Sequence, residues 1–149
     1  MPERLEHILA FDFGLKRIGI AVGDTLTGTA APRPAAAARA GEPDWESISR
    51  ELRAFSPGRL VVGAPYNADG TAGALLASAR RFAAELRLRF ALPVSLIDER
   101  FSSLEAGAEL KTQRTRGGRR RMRREHIDSA AAAVILERWL SGESGEELP

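Results

Sequence analysis

Apolar and polar positions along the chain fall into short aliphatic runs and longer stretches of helical spacing. Residues 7–13 (HILAFDF) and 17–23 (RIGIAVG) have strand length and are joined by the tight Gly14-Leu15-Lys16 turn, which predicts an antiparallel hairpin. Residues 25–38 are rich in Thr, Pro and Ala and are expected to hold a third, edge-like strand, because Pro32 and Pro34 exclude a central one. In residues 42–55 (EPDWESISRELRAF), Trp45, Ile48, Leu52 and Phe55 share one face with Pro43 near the start. That predicts an amphipathic helix, stopped by Ser56-Pro57-Gly58.

Residues 59–65 (RLVVGAP) read as a short strand, followed by the polar loop YNADG and a helix over 71–90. In that helix Leu75, Ala79, Phe82, Leu86 and Phe90 recur at helical spacing. A further strand is expected over 93–99 (PVSLIDE), a short helix over 102–110 and a last helix over 127–140 (IDSAAAAVILERWL). The polar tails, about 1–5 and 141–149, are expected to fray. The order of elements predicts an α/β fold: a five-stranded mixed sheet, with an antiparallel first hairpin and parallel later strands, flanked by helices.

Length narrows this to one domain spanning 1–149. No run of about twenty apolar residues could span a bilayer, and MPERLEHI lacks a signal-peptide core, so a soluble cytoplasmic protein without a membrane partner is expected. Without cysteine there is no disulfide and no thiolate metal site, and any metal must sit on oxygen or histidine. The formal charge of +2 hides a strong asymmetry. Residues 111–124 (KTQRTRGGRRRMRR) carry eight cations and no acid, leaving fourteen cations against twenty acids elsewhere.

Four acids interrupt apolar patterns. Asp12 stands between Phe11 and Phe13, where a lone buried carboxylate is costly unless it is paired or binds metal. Asp98 and Glu99 end the strand over 93–99, and Asp128 shares a helical face with Ala131, Ala132, Ile135 and Trp139. Each also has a plainer account: Asp12 as a turn residue before Gly14, Asp98 as an ion-pair partner of Arg100, Asp128 as the N-cap of a helix starting at Ser129. Asp24 reads as a turn former at a strand end. Together, however, Asp12, the Asp98/Glu99 pair and Asp128 can converge from one sheet and one helix. Converging carboxylates repel unless a divalent cation holds them, and hard oxygen ligands suit Mg²⁺ or Mn²⁺. Two such ions about 4 Å apart can activate water and stabilise the leaving oxygen of a phosphodiester. The basic segment then gains a role. Lys111, Arg114, Arg116, Arg119, Arg120, Arg121, Arg123 and Arg124 would neutralise phosphates of nucleic acid next to Asp128, although a solvated flexible loop is the usual fate of a charge run.

Four blocks carry a resemblance: DFGLKRIGIAVGD from Asp12, LVVGAPYNADGT from Leu60, IDERFSS from Ile97 and HIDSAAAAVILERWL from His126. In this order and at this length the chain resembles the YqgF, or RuvX-like, family of Holliday junction resolvases and nucleases of pre-16S ribosomal RNA 5′ ends. The resemblance implies an RNase H-like fold and metal-dependent phosphodiester cleavage. It assigns Asp12, one of Asp98 and Glu99 (Glu99 favoured), and Asp128 to the catalytic metal site. It also implies phosphate contact by Lys16, Arg17 and Arg100, a helix N-cap at Ser102 and Ser103, and a matching loop at Asn67, Asp69, Gly70 and Thr71. The arginine-rich run before Asp128 and the Ala- and Pro-heavy third-strand region depart from the family pattern.

Sugar kinases and actin-like ATPases open on a similar hairpin but need two lobes to enclose a nucleotide, and this chain has length for one. The remaining rival is a binding module on the same fold, docking on RNA, ribosome or a transcription complex. A pure binder has no use for a full buried acid set. Neither RNA versus DNA nor the oligomeric state is legible in the pattern.

Overall fold

The computed structural model describes residues 6–64, 74–98, 124–142 and 145–148. In chain order the elements are β1 (His7–Asp12), β2 (Arg17–Asp24), β3 (Ala30–Arg39), β4 (Glu42–Pro43), α1 (Trp45–Phe55), β5 (Arg59–Ala64), α2 (Ala74–Phe90), β6 (Val94–Asp98), α3 (Arg124–Leu140) and β7 (Glu146–Glu147). They build one sheet of order β4-β3-β2-β1-β5-β6-β7. The hairpin β1/β2 is antiparallel as expected, and β1, β5 and β6 run parallel.

The sheet has seven strands rather than the expected five, since β4 and β7 are added at its two edges. Both are two residues long, too short for an alternation to show in sequence. The first helix is correspondingly shorter at its start than expected. Glu42 and Pro43 pair with Arg39 and Ala38, and Asp44 becomes the N-cap, its carboxylate accepting from Ser47 Oγ at 2.8 Å. The stop at Ser56 holds: it closes α1 in the left-handed conformation, with its N–H on Leu52 O. In the tail, expected to fray, Glu146 and Glu147 pair with Leu96 and Ser95. Arg80 holds Glu146 through two bonds of 2.7 and 2.8 Å, and Arg59 and Ser95 hold Glu147.

Alternation along β1 divides the core. Leu9 and Phe11 pack with Leu60, Val62, Leu96 and the apolar faces of α1 and α2, while Ile8 and Ala10 pack with Val61, Ile97 and Ala132, Ile135 and Leu136 of α3. Residues Ile8 to Phe11 are all fully buried, as a central strand covered on both faces must be, and each large side chain there contributes about 1.5–3 kcal/mol of burial. Leu9 and Ile8 thus belong to opposite layers of one sandwich. β3 behaves as the edge strand its prolines predict, with its outer side paired only at Ala38 and Arg39. Its register against β2 slips between Ile18↔Ala36 and Ile20↔Arg33, a bulge that takes up Pro34 and Ala35. Among the described residues no helix is long and apolar enough to cross a membrane.

Candidate functional site

Because β1, β5 and β6 are parallel, their carboxyl ends share one edge of the sheet. Asp12 closes β1 opposite Gly63 of β5, and Asp98 closes β6 opposite Ala64. The two backbone positions stand two strands apart, about 10 Å at ordinary strand spacing. Asp12 is half-buried and continues the even-numbered phase of Ile8 and Ala10, so it belongs to the face that α3 covers.

α3 carries Asp128, and it begins at Arg124, so Asp128 lies inside the helix and is not its N-cap. The next residue fixes the helix to the sheet. Ser129 is fully buried, and its Oγ accepts from the Ile20 N–H at 3.0 Å. Ile20 is the residue at which the β2/β3 register slips, where a bulge disrupts the ladder and a backbone group needs a partner from elsewhere. It also neighbours Gly19, the β2 partner of Asp12. One side-chain bond therefore ties the helical segment that contains Asp128 to the sheet one residue from the Asp12 rung.

The β1–β2 turn that follows Asp12 requires Gly14. A Cβ there would meet Arg17 O at 2.5 Å. Lys16 projects from this turn into solvent, and Arg17 opens β2 opposite Ala37. Asp24 sits at the other end of the sheet, opposite His7. Its carboxylate accepts from Leu26 N at 2.9 Å and Thr27 N at 2.7 Å, and the Thr27 N–H first of all draws its pKa below the ordinary 3.8. It is the turn former expected, and no part of the site.

Glu99, Arg100, Ser102, Ser103, Lys111, Arg114, Arg116, Arg119, Arg120, Arg121 and Arg123 lie outside the described residues, as do Asn67, Asp69, Gly70, Thr71 and the expected helix over 102–110. Arg124 is described only as the first residue of α3. Among the described residues no three acidic or histidine side chains form a cluster that could hold a metal. Two residues at this edge are absent from the sequence-based site. Ser129 had a signal, because it shares the buried phase of Ala132, Ala133 and Leu136. Arg39, at the carboxyl end of β3, had none.

The profile of the family RuvX, described as Holliday junction resolvase, matches residues 6–142. Proteins from Escherichia coli O157:H7 and Escherichia coli O1:K1, each named "Putative pre-16S rRNA nuclease", are 48% identical over 132 residues, covering 89% of this chain and 94% of theirs. Among solved structures, Thermus thermophilus RuvC in complex with a Holliday junction substrate superposes with a TM-score of 0.56 at 15% identity, covering 96% of this chain and 99% of that one. The yeast mitochondrial Holliday junction resolvase superposes at 0.51 and 9% identity, over 89% of this chain and 77% of its own. The fold is thus that of RuvC-like resolvases, as the RNase H-like expectation requires. The sequence match, nearly end to end, is decisive for kinship: the chain belongs to the RuvX family of nucleases.

Proposed function

We propose that this protein is a divalent-metal-dependent endonuclease that trims the 5′ end of precursor 16S ribosomal RNA, with Asp12, Glu99 and Asp128 as the metal-holding carboxylates. The observation that carries this is the common edge: Asp12 ends a central strand in the phase that faces α3, beside the point where Ser129 anchors the helix of Asp128. Glu99 is taken over Asp98 on the family resemblance. The donor set is all oxygen in a chain without cysteine, which fits Mg²⁺ or Mn²⁺. Bound there, such ions supply an activated water and stabilise the departing oxygen. The protein's own part is to fix the carboxylates on rigid elements and to hold phosphates with Lys16, Arg17, Arg100 and the cations of 111–124. The absence of cysteine accords with work in a reducing cytoplasm.

Precursor RNA is favoured over a branched DNA because the relatives at 48% identity carry that name, whereas resemblance to the junction-bound RuvC is of fold. The test is cleavage of labelled precursor 16S RNA and of a four-way DNA junction, side by side, with Mn²⁺. RNA cut near the mature 5′ end, lost in Asp12→Asn while binding survives, is the expected result. Junction cutting alone would transfer the activity to DNA, and undiminished cutting by Asp12→Asn would remove the catalytic assignment.

A further inference from the structure

The sheet edge where β1, β5 and β6 end carries a fourth strand terminus. β3 is antiparallel to β2 and therefore runs with β1, β5 and β6, so its last residue, Arg39, emerges on the same edge. β3 overruns β2: its pairing with β2 ends at Arg17↔Ala37, and Ala38 and Arg39 extend beyond. The overhang is locked to the β1–β2 turn by two backbone bonds, Ala38 N–H to Lys16 O at 2.9 Å and Gly41 N–H to Leu15 O at 3.0 Å. Ala40 and Gly41 complete the bend with φ of 50° and 85°, so the chain adopts an unfavourable conformation at Ala40 to make it. The turns that carry Lys16 and Arg39 are thereby joined, with half-exposed Leu15 on the first of them.

Arg33, Arg53, Arg59, Arg80 and Arg89 each meet a glutamate, in ion pairs of 2.7–3.2 Å. Lys16 and Arg39 are both exposed and, among the described residues, neither has an ion pair. Two exposed cations on joined turns, at the end of the sheet where Asp12 closes β1, make a site for an anion that spans both turns, with Glu42, the cross-strand partner of Arg39, as the nearest acid in the register.

We infer that Lys16 and Arg39 together grip the phosphate backbone of the substrate on the β3 side of the catalytic edge, opposite the side reached through β6. This rests on the nuclease reading and adds to it the path of the nucleic acid. From Asp12 to Arg39 the route is about 13 Å along the strands and, over two strand spacings, about 10 Å across them, or about 16 Å in all. That equals about five steps of a duplex strand at ~3.4 Å each, so the grip lies several nucleotides from the cut. The recognition is of phosphate and sets position rather than sequence.

The experiment measures binding of a labelled DNA duplex to Asp12→Asn protein by fluorescence anisotropy at several salt concentrations. Arg39→Ala and Lys16→Ala are added singly and together, with Arg87→Ala as the control. Arg87 lies in the last turn of α2, which leads into the start of β6, at the opposite end of the sheet. The expected result is a log-log salt slope flatter by about 0.9 for each of Lys16 and Arg39 and by about 1.8 for both, with Arg87→Ala unchanged. Thermal midpoints equal to that of the parent confirm that the variants fold. A slope unchanged in Arg39→Ala, or flattened equally in Arg87→Ala, overturns the grip. Cleavage by the wild-type chain is scored separately, so that an unchanged slope with cutting intact condemns the grip alone, whereas absence of cutting with the slopes as expected condemns the catalytic reading alone.

Discussion

Ser129→Ala isolates the bond that fastens α3 to the sheet. It removes one oxygen from a site with no solvent exposure and leaves the equally buried Ile20 with an unpartnered N–H. An orphaned buried donor costs about 1–3 kcal/mol, because desolvation is not repaid. Alanine returns up to about 0.5 kcal/mol as the better helix former. The net expectation is a loss of about 1–2.5 kcal/mol, and at this size each kcal/mol moves Tm by about 2–4 °C. Urea unfolding followed by far-UV circular dichroism should show a lower midpoint at an unchanged m-value, the mark of altered stability rather than an altered unfolded state. A loss below about 0.5 kcal/mol would refute the reasoning, since it would mean that the bulge finds another partner for Ile20. The cleavage rate should fall along with stability, because the tether lies one residue from Asp128.

Other parts of the molecule give equally specific expectations. Gly23→Ala puts a methyl 2.5 Å from Thr29 O and 2.9 Å from Leu136 Cδ2, and should cost about 1–3 kcal/mol or more in urea unfolding; an unchanged midpoint would show that β2 and α3 move apart freely. Glu146 and Glu147 are held below the ordinary 4.5, the first mainly by its bonds from Arg80 and the second by Ser95 and Arg59. Carboxylates lowered in the folded state stabilise above their ordinary pKa and lose that contribution as the pH falls through the lowered value. Glu146→Gln/Glu147→Gln should therefore be less stable than the parent at pH 7, by about 0.2–1 kcal/mol per exposed pair, and the gap should close on acidification below 4.5. A gap independent of pH would assign the tail's hold to its backbone pairing. Arg33→Ala should cost more than the same change made on Glu51→Gln, because Glu51 is 9% exposed and receives Arg33 through bonds of 2.7 and 3.3 Å; equal costs would mean the carboxylate is reached by solvent.

The main strands and helices were legible because each has a period. Leu9 and Phe11 alternate with Ile8 and Ala10, and Ile48 and Leu52 recur at helical spacing, so burial of one face dictates the element. Two-residue strands have no period to read, which is why β4 and β7 escaped. Pro43 suits a first helical turn as well as a strand end, and only the pairing with Ala38 decides between them. At the site, Asp12 stood out as a charge inside an apolar run, a local contradiction that points to chemistry. Arg39 contradicts nothing around it. Its place is set by β3 overrunning β2 and by the bonds of Ala38 to Lys16 and of Gly41 to Leu15, contacts across 22 and 26 residues that no local pattern encodes.

The small strand β7 also bears on how the protein behaves in company. β6 reads VSLID, and its outer backbone is covered at Ser95 and Leu96 by Glu147 and Glu146, and at Val94 O by the Leu148 N–H at 3.0 Å. Lifting residues 146–148 would bare an apolar strand with open hydrogen-bonding groups, a template on which a second molecule could add its own strand. The glutamates then act as a removable guard, charged and short, over the outer edge of β6. Truncation before Glu146, or a fusion that strains it away, should register less in Tm than in solubility, as concentration-dependent association.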